Sequence, residues 1–241
     1  MTKIQFDFNN MFDFNIGSKH GVTQKDLSSV SGLVNKSINH FTKLVSNKEN
    51  RINLSLEWLM LPYQDNKTIA QIQKTGNEIA AKYENVISLG IGGSYLGLKA
   101  SQDALCSPYY NEFKKARNNR PRIYFEGNNL DPVTLKTLLA NLDPKKTFVI
   151  VISKSGETTE TKVAFETARE WLKKSVGTKY GRQIFAITDP ASGTLRKIVN
   201  EEQSKDKLSF QNLPLLKGVG GRFSELNMGL LHLAIVGINI R

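Results

Sequence analysis

The 241-residue chain has one cysteine, Cys106, and only three histidines. A single cysteine excludes an intramolecular disulfide and agrees with a reducing compartment. No histidine lies near Cys106 in the sequence. We therefore predict that this thiol packs in the interior and does not act as a nucleophile.

Long apolar runs are also missing. The first ten residues, MTKIQFDFNN, lack the apolar segment of a secretory signal peptide. The most apolar stretch, residues 228–240, contains His232 and two glycines and is too short to span a bilayer. We therefore expect a soluble, cytoplasmic protein that does not associate with membranes.

Acidic residues are scarce relative to basic ones, with 22 Asp and Glu against 33 Lys and Arg and a formal net charge of +11. This excess favours anionic ligands or partners. The lysines are spread over many segments without a long basic block, and no RNP, zinc-finger or helix-turn-helix signature is present. The charge therefore favours a small anionic ligand over a nucleic acid.

From Asn85 onward, short apolar runs alternate with helical patterns. The runs cover residues 86–89, 122–125, 148–152, 184–187 and 208–213. This alternation predicts an α/β fold with a five-stranded parallel sheet flanked by helices, in which ligands bind beyond the carboxyl ends of the strands. Before Asn85 we predict an aromatic arm and two helices, and after the last run an apolar helix that reaches the terminus. The arm contains Phe6, Phe8, Phe12 and Phe14, and the two helices begin near Thr23 and Lys67.

The central predicted strand, 148–152, opens into a loop rich in hydroxyl groups before a helical pattern from about Lys162. Its donors are Ser153, Ser155, Thr158 and Thr159, with Lys154 adding a full charge. A helix N-terminus supplies further N–H groups, so the loop suits a compact phosphate monoester. It is not a Walker A loop, because no Gly-Lys-Ser/Thr ends it. The alternative is a serine-rich turn that only caps the helix.

Two glycine-rich loops accompany it. In Gly90–Gly97, the position three residues after Gly92 holds Tyr95, so the dinucleotide-binding fingerprint is not met. This loop either lets a ligand approach the backbone beside Ser94 or only permits close helix–sheet packing. In residues 218–224, Arg222 either stabilises a phosphate or a developing oxyanion or is a surface residue in a glycine turn.

The segments GIGGSYLG, VISKSGETTET and GVGGRFSELNMGLL, in this order, resemble the glucose-6-phosphate isomerase family, which is built from sugar-isomerase (SIS) domains. The resemblance implies an SIS-type, flavodoxin-like fold, with an N-terminal arm and helices over 1–84 and a sugar-phosphate-binding domain over 85–241. It also implies isomerisation of D-glucose 6-phosphate to D-fructose 6-phosphate through a cis-enediol, without metal or redox cofactor, and a homodimer for the full-length enzyme. The residues implied to hold the sugar phosphate are Gly93, Ser94, Ser153, Lys154, Ser155 and Thr158, and Arg222 beside Gly221 is implied to stabilise the enediolate.

The chain departs from this family in two ways. Glu157 stands in the phosphate loop where relatives often have threonine, and a carboxylate there would repel phosphate unless it points outward to solvent or to a lysine. The chain also ends at Arg241, whereas the family continues through a second SIS domain. That domain carries the glutamate that transfers the proton, a histidine used in ring opening and a lysine. The chain therefore resembles an N-terminal half, and we expect negligible turnover from it alone.

Two other functions are compatible with the sequence. The chain could be a stand-alone SIS sensor that binds a sugar phosphate and regulates a partner, or, more remotely, a nucleotide-binding protein. The two motif mismatches disfavour nucleotides. The apolar end, residues 230–240, predicts exposed surface that needs covering, which favours half of an isomerase over a complete sensor.

Overall fold

A computed structural model describes residues 5–241 of the chain. They fall into two units, Met1–Asn53, described from Gln5 onward, and Leu54–Arg241. The domain boundary predicted from the sequence, between residues 84 and 85, stays a prediction.

The first unit contains three helices within its described residues: α1 (Asp13–Ile16), α2 (Gln24–Ser46) and α3 (Lys48–Asn53). Helix α2 begins where the sequence predicts, because Thr23 and Asp26 form a capping box. The Thr23 N–H donates to the Asp26 carboxylate over 2.9 Å, and the Asp26 N–H donates to the Thr23 hydroxyl over 3.1 Å.

The second unit is built on a parallel sheet, which confirms the predicted fold class. Its strands are β1 (Asn85–Leu89), β2 (Arg122–Glu126), β3 (Thr147–Ile152), β4 (Ile184–Thr188) and β5 (Gln211–Pro214), in the spatial order β2-β1-β3-β4-β5. All four strand pairs are parallel. The order reverses between β1 and β3, and such a switch point is where open α/β sheets bind ligands.

Helices cover both faces of this sheet. They are α4 (Asn66–Lys82), α5 (Leu96–Leu105), α6 (Pro132–Asn141), α7 (Thr159–Val176), α8 (Thr194–Lys205) and α9 (Leu230–Val236). Residues along β3 alternate between two cores, as a two-residue side-chain period requires. Ile150 packs in the cluster formed with α4, α5 and α9, and Val149 packs in the cluster formed with α6, α7 and α8.

The structure corrects two predicted boundaries. The last strand begins at Gln211 and not near residue 208, because Phe210 takes a positive φ of 48° and its N–H donates to the Gly181 carbonyl over 2.7 Å. The prediction of a helix to the terminus is also wrong. Helix α9 ends at Val236, since Gly237 adopts the left-handed conformation with φ of 93°.

The apolar residues beyond Gly237 are not the exposed surface that the sequence predicts. Ile238 and Ile240 are half-buried and pack against the core cluster beneath α4 and α9. No helix of residues 5–241 combines the length and the apolar character that a membrane span requires.

Candidate functional site

Three loops meet at the carboxyl edge of the sheet. The loop after β1 touches the 218–224 segment directly, because a Cβ added to Gly93 would lie within 2.5 Å of the Gly221 carbonyl carbon and oxygen. Gly127, which follows β2, lies between the loop after β1 and the first turn of α7. A Cβ at Gly127 would be 3.4 Å from the Gly90 nitrogen and 3.5 Å from the Thr161 Cα. The predicted site segments therefore all follow strands at one edge of the sheet, and two of them, the loops around Gly93 and Gly221, are in direct contact.

The loop after β3, residues 153–158, is held by its own hydroxyl groups. The Ser153 hydroxyl accepts from the Gly156 N–H over 3.0 Å, and the Ser155 hydroxyl accepts from the Glu157 N–H over 3.1 Å. The Thr194 N–H at the start of α8 donates to the Ser155 carbonyl over 2.7 Å. These contacts fix the loop before any ligand arrives, so little ordering is needed on binding.

Helix α7 starts directly after this loop. Thr158 is its N-cap residue, and no side chain caps the helix there. The first N–H groups of a helix have no intrahelical partner, and the helix dipole favours negative charge at this end. Helix α7 is 18 residues long, and its uncapped start, with the Thr158 hydroxyl beside it, therefore presents donors to an anion.

Two cations complete the loops. Lys154 and Arg222 are exposed, and neither side chain forms an ion pair or hydrogen bond with any residue in the described part of the chain. Arg222 lies in a short 3-10 turn, Gly221–Phe223. The ring of Phe223 stacks on Trp58 at 4.6 Å, and the Ser224 hydroxyl donates to the Gly221 carbonyl over 2.7 Å. The backbone at Arg222 is thus fixed, while the charge of the Arg222 side chain stays unpaired among the described residues.

The loop after β1 places Gly93 and Ser94 beside Arg222. Gly92 has a φ of 58°, which lets the chain turn sharply into the 3-10 turn Gly92–Ser94. The half-buried Ser94 hydroxyl lies 3.8 Å from the Met228 sulfur, a weak acceptor. The Ser94 hydroxyl is therefore only weakly engaged inside the protein.

Glu157 does not project a free charge into the loop. Its carboxylate lies 3.2 Å from the Lys162 ammonium, and it accepts a hydrogen bond from the Thr194 hydroxyl on α8. The Thr194 hydroxyl, followed by Lys162, lowers the pKa of Glu157. The expected repulsion between Glu157 and a phosphate is offset by these two partners. A lysine partner agrees with the sequence-based expectation, whereas Thr194 has no signal in the sequence.

The remaining candidates for acid–base chemistry are enclosed. His232 is 1% exposed, its Nε2 lies 2.9 Å from Gln102 Oε1, and burial lowers its pKa to about 4. It is a core histidine, as predicted. Burial, with a smaller effect of Asp103, raises the pKa of Cys106, which agrees with a packing role. Within residues 5–241, no grouping of His, Cys, Asp and Glu side chains is arranged to hold a metal ion.

Comparison with known proteins gives consistent matches. The family model described as phosphoglucose isomerase matches residues 64–237. The glucose-6-phosphate isomerase of Carboxydothermus hydrogenoformans is 36% identical over 99% of this chain and 48% of its own length. That of Fusobacterium nucleatum is 34% identical over 100% of this chain and 50% of its own length. The chain thus spans about half the length of the curated relatives it matches.

Solved structures agree with the sequence matches. A hypothetical protein from Thermus thermophilus superposes with a TM-score of 0.71 at 31% identity, covering 88% of this chain and 46% of that chain. A glucose-6-phosphate isomerase from Chlamydia trachomatis gives a TM-score of 0.51 at 26% identity, covering 73% of this chain and 32% of that chain.

Proposed function

Because the chain belongs to the phosphoglucose isomerase family, we propose that its sheet edge binds the phosphate of a hexose 6-phosphate. The complete enzyme would interconvert D-glucose 6-phosphate and D-fructose 6-phosphate through a cis-enediol, in glycolysis and gluconeogenesis. By the same resemblance we infer that it acts in the cytoplasm as a homodimer and needs no metal or redox cofactor. The observation that carries the proposal is the pair of unpaired cations, Lys154 and Arg222, on loops that follow strands at the same edge of the sheet.

The phosphate would lie against the loop after β3. The phosphate would accept hydrogen bonds from the hydroxyl groups of Ser153, Ser155 and Thr158. Lys154 would supply a charge that no protein group neutralises within the described residues. Hydrogen bonds to a charged group contribute about 1.5–3 kcal/mol each, so a few suffice for specific binding. The backbone of Gly93 and Ser94 approaches from the next loop and would complete the enclosure.

Arg222 would act at the sugar carbons. Proton transfer between C1 and C2 places negative charge on the enediolate oxygens, and a preorganised arginine stabilises such charge at the moment it develops. A guanidinium group combines a permanent charge with a planar pair of donors, which suits it to this role. Its position beside Gly221, on backbone fixed by the stacked ring of Phe223, supports this role.

We expect the chain alone to bind sugar phosphate without turning it over. Isomerisation needs a base that moves a proton between neighbouring carbons. Among the candidates, His232 is sealed in the core and Glu157 is engaged by Thr194 and Lys162. A coupled assay of fructose 6-phosphate formation, run beside calorimetric titration with 6-phosphogluconate, tests this expectation. Binding with negligible turnover is the expected result. Turnover at a rate typical of enzymes, with kcat of about 10 s⁻¹, would show that a base lies within this chain. Absence of binding would contradict the proposed function.

Glu157→Gln is expected to change the affinity for 6-phosphogluconate by less than about fivefold, because an exposed and already paired carboxylate contributes little net interaction. The Lys162 ammonium and the Thr194 hydroxyl hold its charge away from the ligand. Calorimetric titration of the two proteins measures the ratio. The exposed Glu201, on α8, provides a matched control as Glu201→Gln. A gain of tenfold or more from Glu157→Gln alone would show that this carboxylate faces the phosphate.

A further inference from the structure

Glu225 is an acidic residue with a buried and unpartnered carboxyl group. It lies three residues after Arg222, at the start of the π-helical turn Glu225–Gly229. Both carboxylate oxygens are buried, and within the described residues neither has a partner with good hydrogen-bond geometry, although the Ser101 hydroxyl of α5 lies close enough to influence the carboxyl group. An unsatisfied buried polar group costs about 1–3 kcal/mol, and more when it is charged, so its retention needs a reason. Single π turns are frequent at functional sites.

Two glycines make room for this carboxyl group. A Cβ added to Gly97, in the first turn of α5, would lie 2.7 Å from Glu225 Oε2. A Cβ added to Gly229 would overlap both carboxylate oxygens, although Gly229 has ordinary helical angles of φ −80° and ψ −19°. The Glu225 side chain therefore fills the space between α5 and the turn that leads into α9.

Glu225 forms no ion pair among residues 5–241. Burial raises its pKa, and the neighbouring Ser101 hydroxyl offsets only part of this effect. Other titratable and charged groups lie on the elements packed against it. These groups are Lys99 and Asp103 of α5, His232 of α9, and Glu57 and Tyr63 of the 57–63 turn. Low pH thus favours the neutral acid, which is the form that a dry, unpaired site accepts.

We propose that Glu225 is a positioning residue for Arg222: in its neutral form it packs the Arg222 segment against α5, and its ionisation loosens that segment and weakens binding of the sugar phosphate. The part that concerns the ligand rests on the function proposed above. The packing against α5 and its response to pH do not, because they are properties of the ligand-free protein.

The first test compares the melting temperature of the wild-type chain with that of Glu225→Gln, without ligand, between pH 5 and pH 9. A carboxyl group whose pKa is raised on folding stabilises the protein fully below its ordinary pKa, and this stability is lost as pH rises through the folded value. The glutamine variant should melt at a higher temperature than wild type at pH 8, by about 3–5 °C for a tenfold change in the folding equilibrium constant. The difference should vanish toward pH 5, and Glu201→Gln should match wild type throughout. A difference that does not depend on pH would overturn the proposal.

The second test does not depend on titration. Gly229→Ala places a methyl group on the Glu225 carboxyl and should lower the melting temperature, although alanine favours a helix more than glycine does. The double variant Gly229→Ala/Glu225→Ala should melt at a temperature no lower than that of Glu225→Ala alone, because the methyl group then meets no carboxyl group. Additive losses would show that the carboxyl does not fill this space and would also overturn the proposal.

The third test measures the Kd for 6-phosphogluconate from pH 6 to pH 9. Wild type should lose about tenfold more affinity over this range than Glu225→Gln, since ionisation of the phosphate affects both proteins equally. Equal losses with a pH-dependent melting difference would keep the packing role and remove the link to Arg222. Absence of binding by both proteins at every pH would instead refute the proposed function, while the melting curves would still decide the role of Glu225.

Discussion

Replacing Gly93 with alanine is expected to lower the affinity for 6-phosphogluconate by about 100-fold, the largest loss from any single methyl group at the site. The added Cβ would lie within 2.5 Å of the Gly221 carbonyl carbon and oxygen. These are backbone atoms, so they cannot move aside as a flexible side chain would. The loop after β1 and the segment that carries Arg222 would separate, and the donors on the two loops would no longer converge on one ligand.

Gly220→Ala is the matched control for this experiment. Gly220 lies next to Gly221 in extended backbone with a φ of −78°, and apart from its two chain neighbours no atom of the described residues lies within 4 Å of its Cβ position. It should therefore bind 6-phosphogluconate as wild type does. Calorimetric titration gives both affinities, and circular dichroism shows whether each variant is folded. Equal affinities for the two alanine variants would contradict the close approach of the two loops as a requirement for binding.

Arg222→Ala is expected to weaken binding of 6-phosphogluconate by roughly 10- to 100-fold, from the loss of charged hydrogen bonds of about 1.5–3 kcal/mol. No protein group neutralises this guanidinium within the described residues, so its full interaction is available to the ligand. Arg222→Lys should recover part of the loss, because lysine keeps the charge but not the planar pair of donors.

The control for Arg222 must remove the same charge elsewhere. Arg182 is exposed and lies two residues before β4, and its Nε is 2.6 Å from the Asp206 carboxylate. Arg182→Ala lowers the net charge by one unit, as Arg222→Ala does, without touching the loops. If both variants lost equal affinity at 0.15 M salt, general attraction by the basic protein, and not Arg222 itself, would account for binding.

The fold could be predicted from the sequence because local and long-range patterns agree. Residues Phe148–Ile152 are apolar throughout, as a strand buried on both faces requires, and Thr23 with Asp26 gives a capping signal in four residues. The end of α9 differs from the prediction because the apolar residues beyond Gly237 continue the helical pattern, although Gly237 itself is a signal for a helix end. The signal that a glycine ends a helix should have been preferred there.

Other features of the site could not be predicted because they depend on tertiary placement. Glu157 is compensated by Thr194, which lies 37 residues further along the chain at the start of α8. Burial of Glu225 follows from two glycines on different elements, Gly97 and Gly229. Neither arrangement is marked by a pattern of neighbouring residues in the sequence. The hydroxyl-rich loop, in contrast, was visible because its residues are contiguous.

The most direct test of the sugar-phosphate site is the melting temperature of the wild-type chain with 6-phosphogluconate and, separately, with ATP. A ligand at 100 times its Kd adds about 2.7 kcal/mol of stability, which for a chain of this size raises the melting temperature by about 5–10 °C. We predict such a rise with 6-phosphogluconate, its loss in Gly93→Ala, and no change with ATP. A rise with ATP that equals or exceeds the one with 6-phosphogluconate, or no rise with either ligand, would contradict a sugar-phosphate site at this edge of the sheet.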